Sequence, residues 1–567
     1  MGGLRNKDGK GFHPLNWHFP LRIPNREKRL LQPLWRNGQW PVVLHLLFLL
    51  AVPFSARGQA WLPVNRFYRQ ETEAYFLHTH VSVFTPLNPI PASVIRDTLF
   101  RPDSLLGLPG KQPYKRWIVR KLFQENLAVV KKDGLVLKVN GLADFSAGKE
   151  NNSSRLLYRN TRGALFEGTI SGIIGFSSAL YENQARFPSY LTAYIQNHQV
   201  LPGQGVAKKF HSDGYDFSWS EGNVWVRPWK NLYVEAGFGK RFFGDGYRSL
   251  LLSDFSHVYP YAGYRWYGKR FFLAASTQSL IQHEPVIRWD KRRFPAKTSV
   301  FHFAGAQLGR FQITLMEANM YDNPDTAGNF HWQAVLFNPA PLLNSLAGGG
   351  NTLWGLNVKF TASPVVEMYA QLAVNDYPVN DPFHINSVKN KTGFQAGVKW
   401  LKAFALDDFF LQAEYNQVRP YTYCAGTPSL TFTHYNEPLA HPLGANFREG
   451  LVIATWRRKF LLLEGQASYA VQGRNEGNVD QGSNPLLRNG ILPEKVTLTG
   501  ESHLLQGIKT EVVNAFAGIS WIINPVNTLH LSVEYYYRME SAAGNKNTTG
   551  FFMIGLRTNR INHYYDF

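Results

Sequence analysis

The chain of 567 residues is poor in sulfur, in acid and in long apolar runs. Its single cysteine, Cys424, excludes an intramolecular disulfide framework and a cysteine-based zinc site. No apolar stretch reaches the roughly 20 residues that a spanning helix needs, and mean hydropathy is −0.25. A helical membrane protein is thereby excluded. A transmembrane barrel is not, because its strands are apolar on one face only. The G-x-S-x-G, H-E-x-x-H and P-loop signatures are missing, so no enzyme is expected and no cofactor. No zinc-finger spacing or RNP-type segment occurs, so no nucleic-acid partner is expected either.

Aromatic residues, by contrast, are abundant, with 15 Trp, 27 Tyr and 40 Phe. That excludes a disordered chain. The 48 Gly and 32 Pro exclude a long coiled coil. The formal charge is +20, but it is unevenly placed. Residues 1–58 carry nine basic and two acidic side chains, or +7, which leaves 20 − 7 = +13 for the rest. A basic body suits anionic lipid, including lipopolysaccharide, or an acidic polysaccharide.

Residues 1–58 are expected to be a basic extension with an export signal. The apolar run Val42–Val52 is too short to span a bilayer, and Ala56 and Gly58 stand at −3 and −1 of a cleavage point before Gln59. Residues 59–134 hold seven prolines and little alternation. They are expected to form a small periplasmic or plug-like region, with an amphipathic helix over Lys115–Leu127.

From residue 135 to 567 the chain alternates with a period of two. Leu529, Leu531, Val533, Tyr535 and Tyr537 share one face, and His530, Ser532 and Glu534 the other. Val234, Ala236 and Phe238 oppose Tyr233 and Glu235. Met368, Ala370 and Leu372 oppose Glu367, Tyr369 and Gln371, and Leu411 and Ala413 oppose Gln412 and Glu414. Such alternation predicts a sheet with one apolar and one polar face. Tight turns near Ser171–Gly172, Gly268–Arg270, Gly309–Arg310 and Asn524–Pro525 alternate with long polar connections, for example 184–213, 322–351, 420–446 and 539–547. Strict parity of short and long connections is the pattern of an outer-membrane barrel. About eighteen strands are predicted, in an all-β antiparallel transmembrane barrel located in the outer membrane. Trp225, Tyr264, Trp266, Trp400, Trp456 and Trp521 are candidates for interfacial girdles. The terminal Tyr564–Phe567 closes a strand-like segment, a sign for the barrel assembly machinery.

Three segments are candidates for chemistry. His78 and His80 could hold a metal on one strand face, although a polar strand or loop is the simpler reading. Asp322-Asn323-Pro324-Asp325 could bind calcium, although it lacks the EF-hand pattern and reads more simply as a turn. No metal is therefore expected. The third is the glycine-rich stretch Gly237–Asp254. Gly244, Asp245, Gly246, Tyr247, Arg248, Ser249 and Asp254 are the candidate ligand-binding or lumen-loop residues, and Arg248 with Asp245 and Asp254 predicts a polar network inside the barrel. That network either ties the loop to the wall or meets a ligand.

This stretch, together with Tyr181-Glu182-Asn183-Gln184 before Phe187-Pro188, then Val200-Leu201-Pro202-Gly203 and Tyr369-Ala370-Gln371, resembles the Wzi-like outer-membrane proteins of Bacteroidetes, nearest to their gliding-motility RemB branch. The resemblance spans roughly residues 60–567. It implies an eighteen-stranded barrel that binds or organises surface polysaccharide, in capsule attachment or gliding, without catalysis. The other expectation from the residues is a diffusion channel for a small solute.

Overall fold

The computed structural model describes residues 60–79, 83–95, 114–151, 153–211, 213–282, 294–321, 350–377, 384–477, 479–486, 501–558 and 562–567. The export segment, His80 and the Asp322–Asp325 motif lie outside the described residues, as does the side chain of His78. Among the described residues no helix is long and apolar enough to cross a membrane.

One closed antiparallel sheet makes the body. Its first nine full strands are β1 (Leu135–Glu150), β2 (Leu156–Ile170), β3 (Ile174–Arg186), β4 (Gly214–Trp229), β5 (Leu232–Gly239), β6 (Tyr259–Tyr267), β7 (Phe271–Ile281), β8 (Ala296–Leu308) and β9 (Phe311–Met320). The second nine are β10 (Asn351–Ser363), β11 (Val366–Asp376), β12 (Lys391–Leu401), β13 (Phe409–Val418), β14 (Phe447–Arg458), β15 (Leu461–Arg474), β16 (Ile508–Asn524), β17 (Leu529–Ala542) and β18 (Asn545–Thr558). Every strand pairs with its sequence neighbour, and β18 closes on β1 with Phe551 opposite Glu150 and Arg557 opposite Asp144. Residues 128–132 pair with 135–139 and extend the seam below β18. Closure leaves no strand edge unpaired toward lipid, where an open edge finds no hydrogen bonds. This is the predicted outer-membrane barrel, and the eighteen strands begin within a few residues of their expected positions.

Burial is inverted relative to a water-soluble protein. On β11, Glu367, Tyr369 and Gln371 are buried, whereas Met368 and Leu372 are 49% and 41% exposed. The exposed apolar face is the one that meets lipid, and the polar face lines the lumen. Trp521 and Trp229 stand out from the wall near the short turns, and Tyr264, Trp266, Trp400 and Trp456 share the outward face. Trp225 is a correction. It is fully buried, points into the lumen and donates its Nε1 hydrogen to the carbonyl of Ala60 at 3.1 Å. Strand parity places odd-numbered residues of β4 inside at this level, and that decides its direction.

Two connections also differ from expectation. The 539–547 connection is no long loop. β17 and β18 run to a two-residue turn, Ala543-Gly544, with both φ positive (+48° and +83°), the backbone of a tight hairpin. The last barrel strand ends at Thr558, and residues 562–567 lie inside the lumen, with Tyr564 and Phe567 6% and 8% exposed. The terminal aromatic residue therefore packs within the barrel instead of closing a lipid-facing strand.

Among the described residues three α-helices accompany the sheet: α1 (Arg66–Thr79), α2 (Trp117–Phe123) and α3 (Ser189–His198). α2 is shorter than the expected Lys115–Leu127, because the chain turns at Gln124–Leu127 to enter the 128–132 flap. α1 has no apolar stripe to predict it. It sits in a polar lumen and meets the wall through charges, with Arg66 to Glu464 at 3.0 Å, Glu71 to Arg457 at 2.8 Å and Glu73 to Lys399 at 2.6 Å. Asn65 caps its start, accepting the backbone N–H of Phe67 at 2.9 Å.

The closing seam is held from inside by four buried charges on four strands. Arg159 lies 3.4 Å from Asp144 and 3.5 Å from Glu534, and Arg557 lies 2.5 Å from Glu534 and 3.9 Å from Asp144. Removing one member leaves a buried charge without its partner, which costs roughly 3–5 kcal/mol. The folded barrel should migrate differently on a denaturing gel before and after boiling. Glu534→Gln should lower the temperature at which the folded band disappears, and an unchanged temperature would deny the quartet this role.

Candidate functional site: the filled lumen

Eighteen strands can enclose a water-filled channel. Among the described residues, the interior is occupied by residues 60–79 and 83–95 with α1, the connection 240–258, the connection 419–446 and the tail 562–567. Their apolar side chains form one cluster that includes Trp61, Phe84, Phe243, Leu251, Phe255 and Tyr423. Among the described residues, voids between these segments and the wall include one of about 110 Å³ beside α1 and the tail and one of about 370 Å³ at the short-turn end.

The 240–258 connection carries all seven predicted site residues, and the structure sets each against a named partner. Glu414 on β13 is the main grip. Its carboxylate accepts the backbone N–H of Tyr247 at 2.8 Å and of Arg248 at 3.2 Å, the hydroxyl of Tyr369 at 2.7 Å and the amide of Asn416 at 2.9 Å. Gly246 lies where a Cβ would come within 2.5 Å of the Glu414 carboxylate and 2.7 Å of the Arg248 carbonyl, so only glycine allows this approach. Asp245 accepts from Thr85 at 3.2 Å and from Asn357 at 2.8 Å, and Lys359 stands 3.5 Å away. Burial opposes its ionisation, but Lys359 and Lys399 outweigh burial and hold its pKa below the ordinary value.

Arg248 joins three parts of the chain. It donates to Glu449 on β14 at 3.0 Å, to the backbone carbonyl of Asp566 at 2.8 Å, and to the Asp566 carboxylate at 3.3 Å. Burial disfavours its charge, yet the carboxylates of Asp566 and Glu449 raise its pKa above the ordinary value. Glu449 is itself shared with His441 at 2.7 Å and Asn416 at 3.0 Å. Ser249 turns inward to donate to the Phe243 carbonyl at 2.6 Å and accepts the N–H groups of Leu251 and Leu252 at 3.1 Å. Gly244 donates its N–H to the Pro86 carbonyl at 2.9 Å. Asp254 accepts from Asn562 at 2.8 Å and from the Tyr564 hydroxyl at 2.5 Å. Asn562 also accepts the N–H of Arg66 at 2.9 Å, so the loop, the tail and α1 meet at one side chain.

The polar side chains Asp245, Arg248, Ser249 and Asp254 are at most 4% exposed. The network joins Asp245, Arg248 and Asp254 through the wall and the tail, not to one another. Wall residues Glu414, Glu449, Gln371 and Asn357 complete it. Sequence reasoning had placed Glu414 and Gln371 on the polar face without assigning them a role. Gln371 accepts the N–H of Leu250 at 2.9 Å, and Tyr369 bonds Glu414, so the Tyr369-Ala370-Gln371 segment is the loop's docking strip. Tyr181 stacks on Trp219 with centroids 4.2 Å apart, and Gly203 donates its N–H to Glu437 at 2.8 Å. Burial pushes the Glu437 carboxyl up to about 8. Among the described residues no group of three metal-ligating side chains converges.

These features define an outer-membrane β-barrel whose lumen is occupied by its own chain. No family model and no curated protein matches the sequence. Solved structures do match the fold. The chain is similar to Wzi of Escherichia coli, an outer-membrane protein involved in group 1 capsule assembly and described as a carbohydrate-binding β-barrel, at 11% identity and a TM-score of 0.52, over 88% of this chain and all of that one. OprD of Pseudomonas aeruginosa follows at 12% identity and a TM-score of 0.41, over 77% and 97% of the two chains. OpdK of the same organism, solved with vanillate, gives 10%, 0.40, 74% and 98%. At these identities the likeness is one of fold.

Arg248→Ala should destabilise the barrel by roughly 3–5 kcal/mol, because buried Glu449 loses its arginine, keeping only His441 and Asn416, and Asp566 loses its tether. Gly246→Ala should cost roughly 1–3 kcal/mol through the clash with Glu414. Urea unfolding in detergent measures both. An Arg248→Ala barrel of unchanged midpoint would show that the tether carries no stability.

Proposed function

We propose that the protein is a non-enzymatic outer-membrane barrel that binds or organises cell-surface polysaccharide, in capsule attachment or as an accessory of gliding. The observation that carries this reading is the occupied lumen. The segment in the middle of the barrel is fixed by buried hydrogen bonds and ion pairs at Asp245, Arg248 and Ser249, which disfavours free passage of a solute. A barrel that does not conduct presents its outer loops as its working surface. The charge of +13 outside residues 1–58 suits an acidic glycan, and the aromatic content supplies rings on which sugars can stack. The shared fold with a carbohydrate-binding barrel supports the same reading. The resemblance to the RemB branch of Bacteroidetes favours gliding as the cellular setting, and the assembly machinery and lipopolysaccharide are its partners in the membrane.

The test has two arms. In planar bilayers the purified protein should give no steady conductance above the lipid baseline, and well-resolved channel currents would favour a diffusion channel. Incubated with surface polysaccharide extracted from its own host, the folded protein should retain it on a sizing column. Failure to retain any would overturn the proposal.

A further inference from the structure

At the short-turn end of the barrel the stretch around α2 exposes apolar side chains outside the barrel strands. On α2 and its flanks, Trp117, Ile118 and Leu122 are 62%, 63% and 52% exposed, and Tyr114, Phe123 and Leu127 are exposed beside them. Ile118 and Leu122 are four residues apart and share one helix face, and Trp117 stands at the helix start beside it. In water such a contiguous apolar surface is unfavourable and marks a contact surface.

Its position says what covers it. The side-chain amide of Asn524, at the end of β16, donates to the carbonyls of Lys121 and Glu125 at 3.2 and 3.0 Å. Three residues earlier on the same strand, Trp521 stands 56% exposed on the lipid-facing side, with Ile519 in line with it. After α2, Leu127 is pinned by Asn140 of β1 through its backbone N–H at 3.1 Å, and residues 128–132 then join the wall itself. There Val130 pairs with Leu137, an outward position, and is 47% exposed. At residues 128–132 this stretch thus reaches the barrel's lipid-facing band at its lower edge, and Asn524 and Asn140, both buried on the lumen-facing parity of their strands, hold α2 at the rim. Its charge fits the same neighbour. From Tyr114 to Lys132 there are six basic residues, Lys115, Arg116, Arg120, Lys121, Lys131 and Lys132, and one acidic residue, Glu125. Glu125 is already held by Arg120 and by Lys121 at 3.0 Å. Aromatic and aliphatic side chains with flanking cations form the composition of a segment lying in a membrane interface.

We propose that Tyr114–Lys132 is an interfacial anchor. Trp117, Ile118 and Leu122 insert at the headgroup–acyl boundary of the periplasmic leaflet, and the basic residues lie against anionic phospholipid headgroups. Through Asn524 and Asn140 the anchor bears on the strands on either side of the closing seam.

The test uses the full-length protein folded into bilayers of phosphatidylethanolamine and phosphatidylglycerol. Cys424→Ser removes the one native thiol, and Trp117→Cys accepts a nitroxide label. A label on Lys546→Cys, exposed between Asn545 and Asn547 beside the β17–β18 turn, is the aqueous control. Accessibility is read against oxygen, which enters the acyl region, and against a water-soluble nickel chelate. The expected result is a label open to oxygen and shielded from nickel relative to the control. Full nickel access would overturn the proposal. Shielding from both reagents would overturn it too, in favour of a covering protein or a second copy of the chain. Leu122→Cys repeats the measurement, so that failure of one variant to fold leaves the question answerable. In bilayers without phosphatidylglycerol the nickel shielding should decrease, and an unchanged value would remove the electrostatic part of the proposal.

Discussion

The constraint on which everything else rests is that hydrocarbon offers no hydrogen bond to a peptide group. It forces the sheet to close, and closure turns the usual polarity inside out. Apolar side chains such as Met368 and Val533 face outward, and charged ones such as Glu414, Glu449 and Arg557 face a lumen of limited volume. Each inward charge is then costly unless it meets an opposite charge or a donor. The four-charge seam and the Arg248–Glu449–Asp566 junction are two solutions to the same problem.

The filling of the lumen follows from that polarity. A wall lined with carboxylates, amides and lysines is an unsuitable surface for an apolar plug, and the segments that enter it are correspondingly polar. α1 reaches the wall through Arg66, Glu71 and Glu73, and the 240–258 connection does so through its backbone N–H groups and Arg248. Apolar residues gather both where segment meets segment, as at Phe255 and Tyr564, and where the wall offers an apolar patch, as Phe84 does on Phe272 and Phe243 on Phe303.

Much of the barrel was legible because strand parity is a local property. Glu367, Tyr369 and Gln371 alternate with Met368, Ala370 and Leu372 in any register, and the period survives without knowledge of the neighbours. What was not legible depends on contacts between distant residues. Trp225 looked like a girdle residue, and its direction is fixed by strand parity and by the Ala60 carbonyl, 165 residues earlier. Helix α1 shows no single amphipathic stripe because it meets both apolar groups and charges on several sides, Leu462 and Ile522 at Phe67, Leu401 and Phe410 at Leu77, and Lys399 at Glu73. The tail 562–567 looked like the end of a strand, and nothing local announces that Tyr564 will meet Asp254. The turn at Ala543-Gly544 lacks the Asn-Gly or Asp-Gly pair that would have marked it.

The glycine-rich connection was legible as a site but not as to its kind. Its sequence left two outcomes open, a tether or a ligand contact, because Gly, Asp and Arg serve both. The distances assign the polar groups to a tether in this structure: Asp245 to Asn357 and Lys359, Arg248 to Glu449 and Asp566, Ser249 to Phe243, and Asp254 to Asn562 and Tyr564. With those groups bonded and buried, they are closed to a large, hydrated ligand. The same polar network that answers the charge of the wall thus also fixes the connection within the lumen, and a substitution at Arg248 acts first on that fixation.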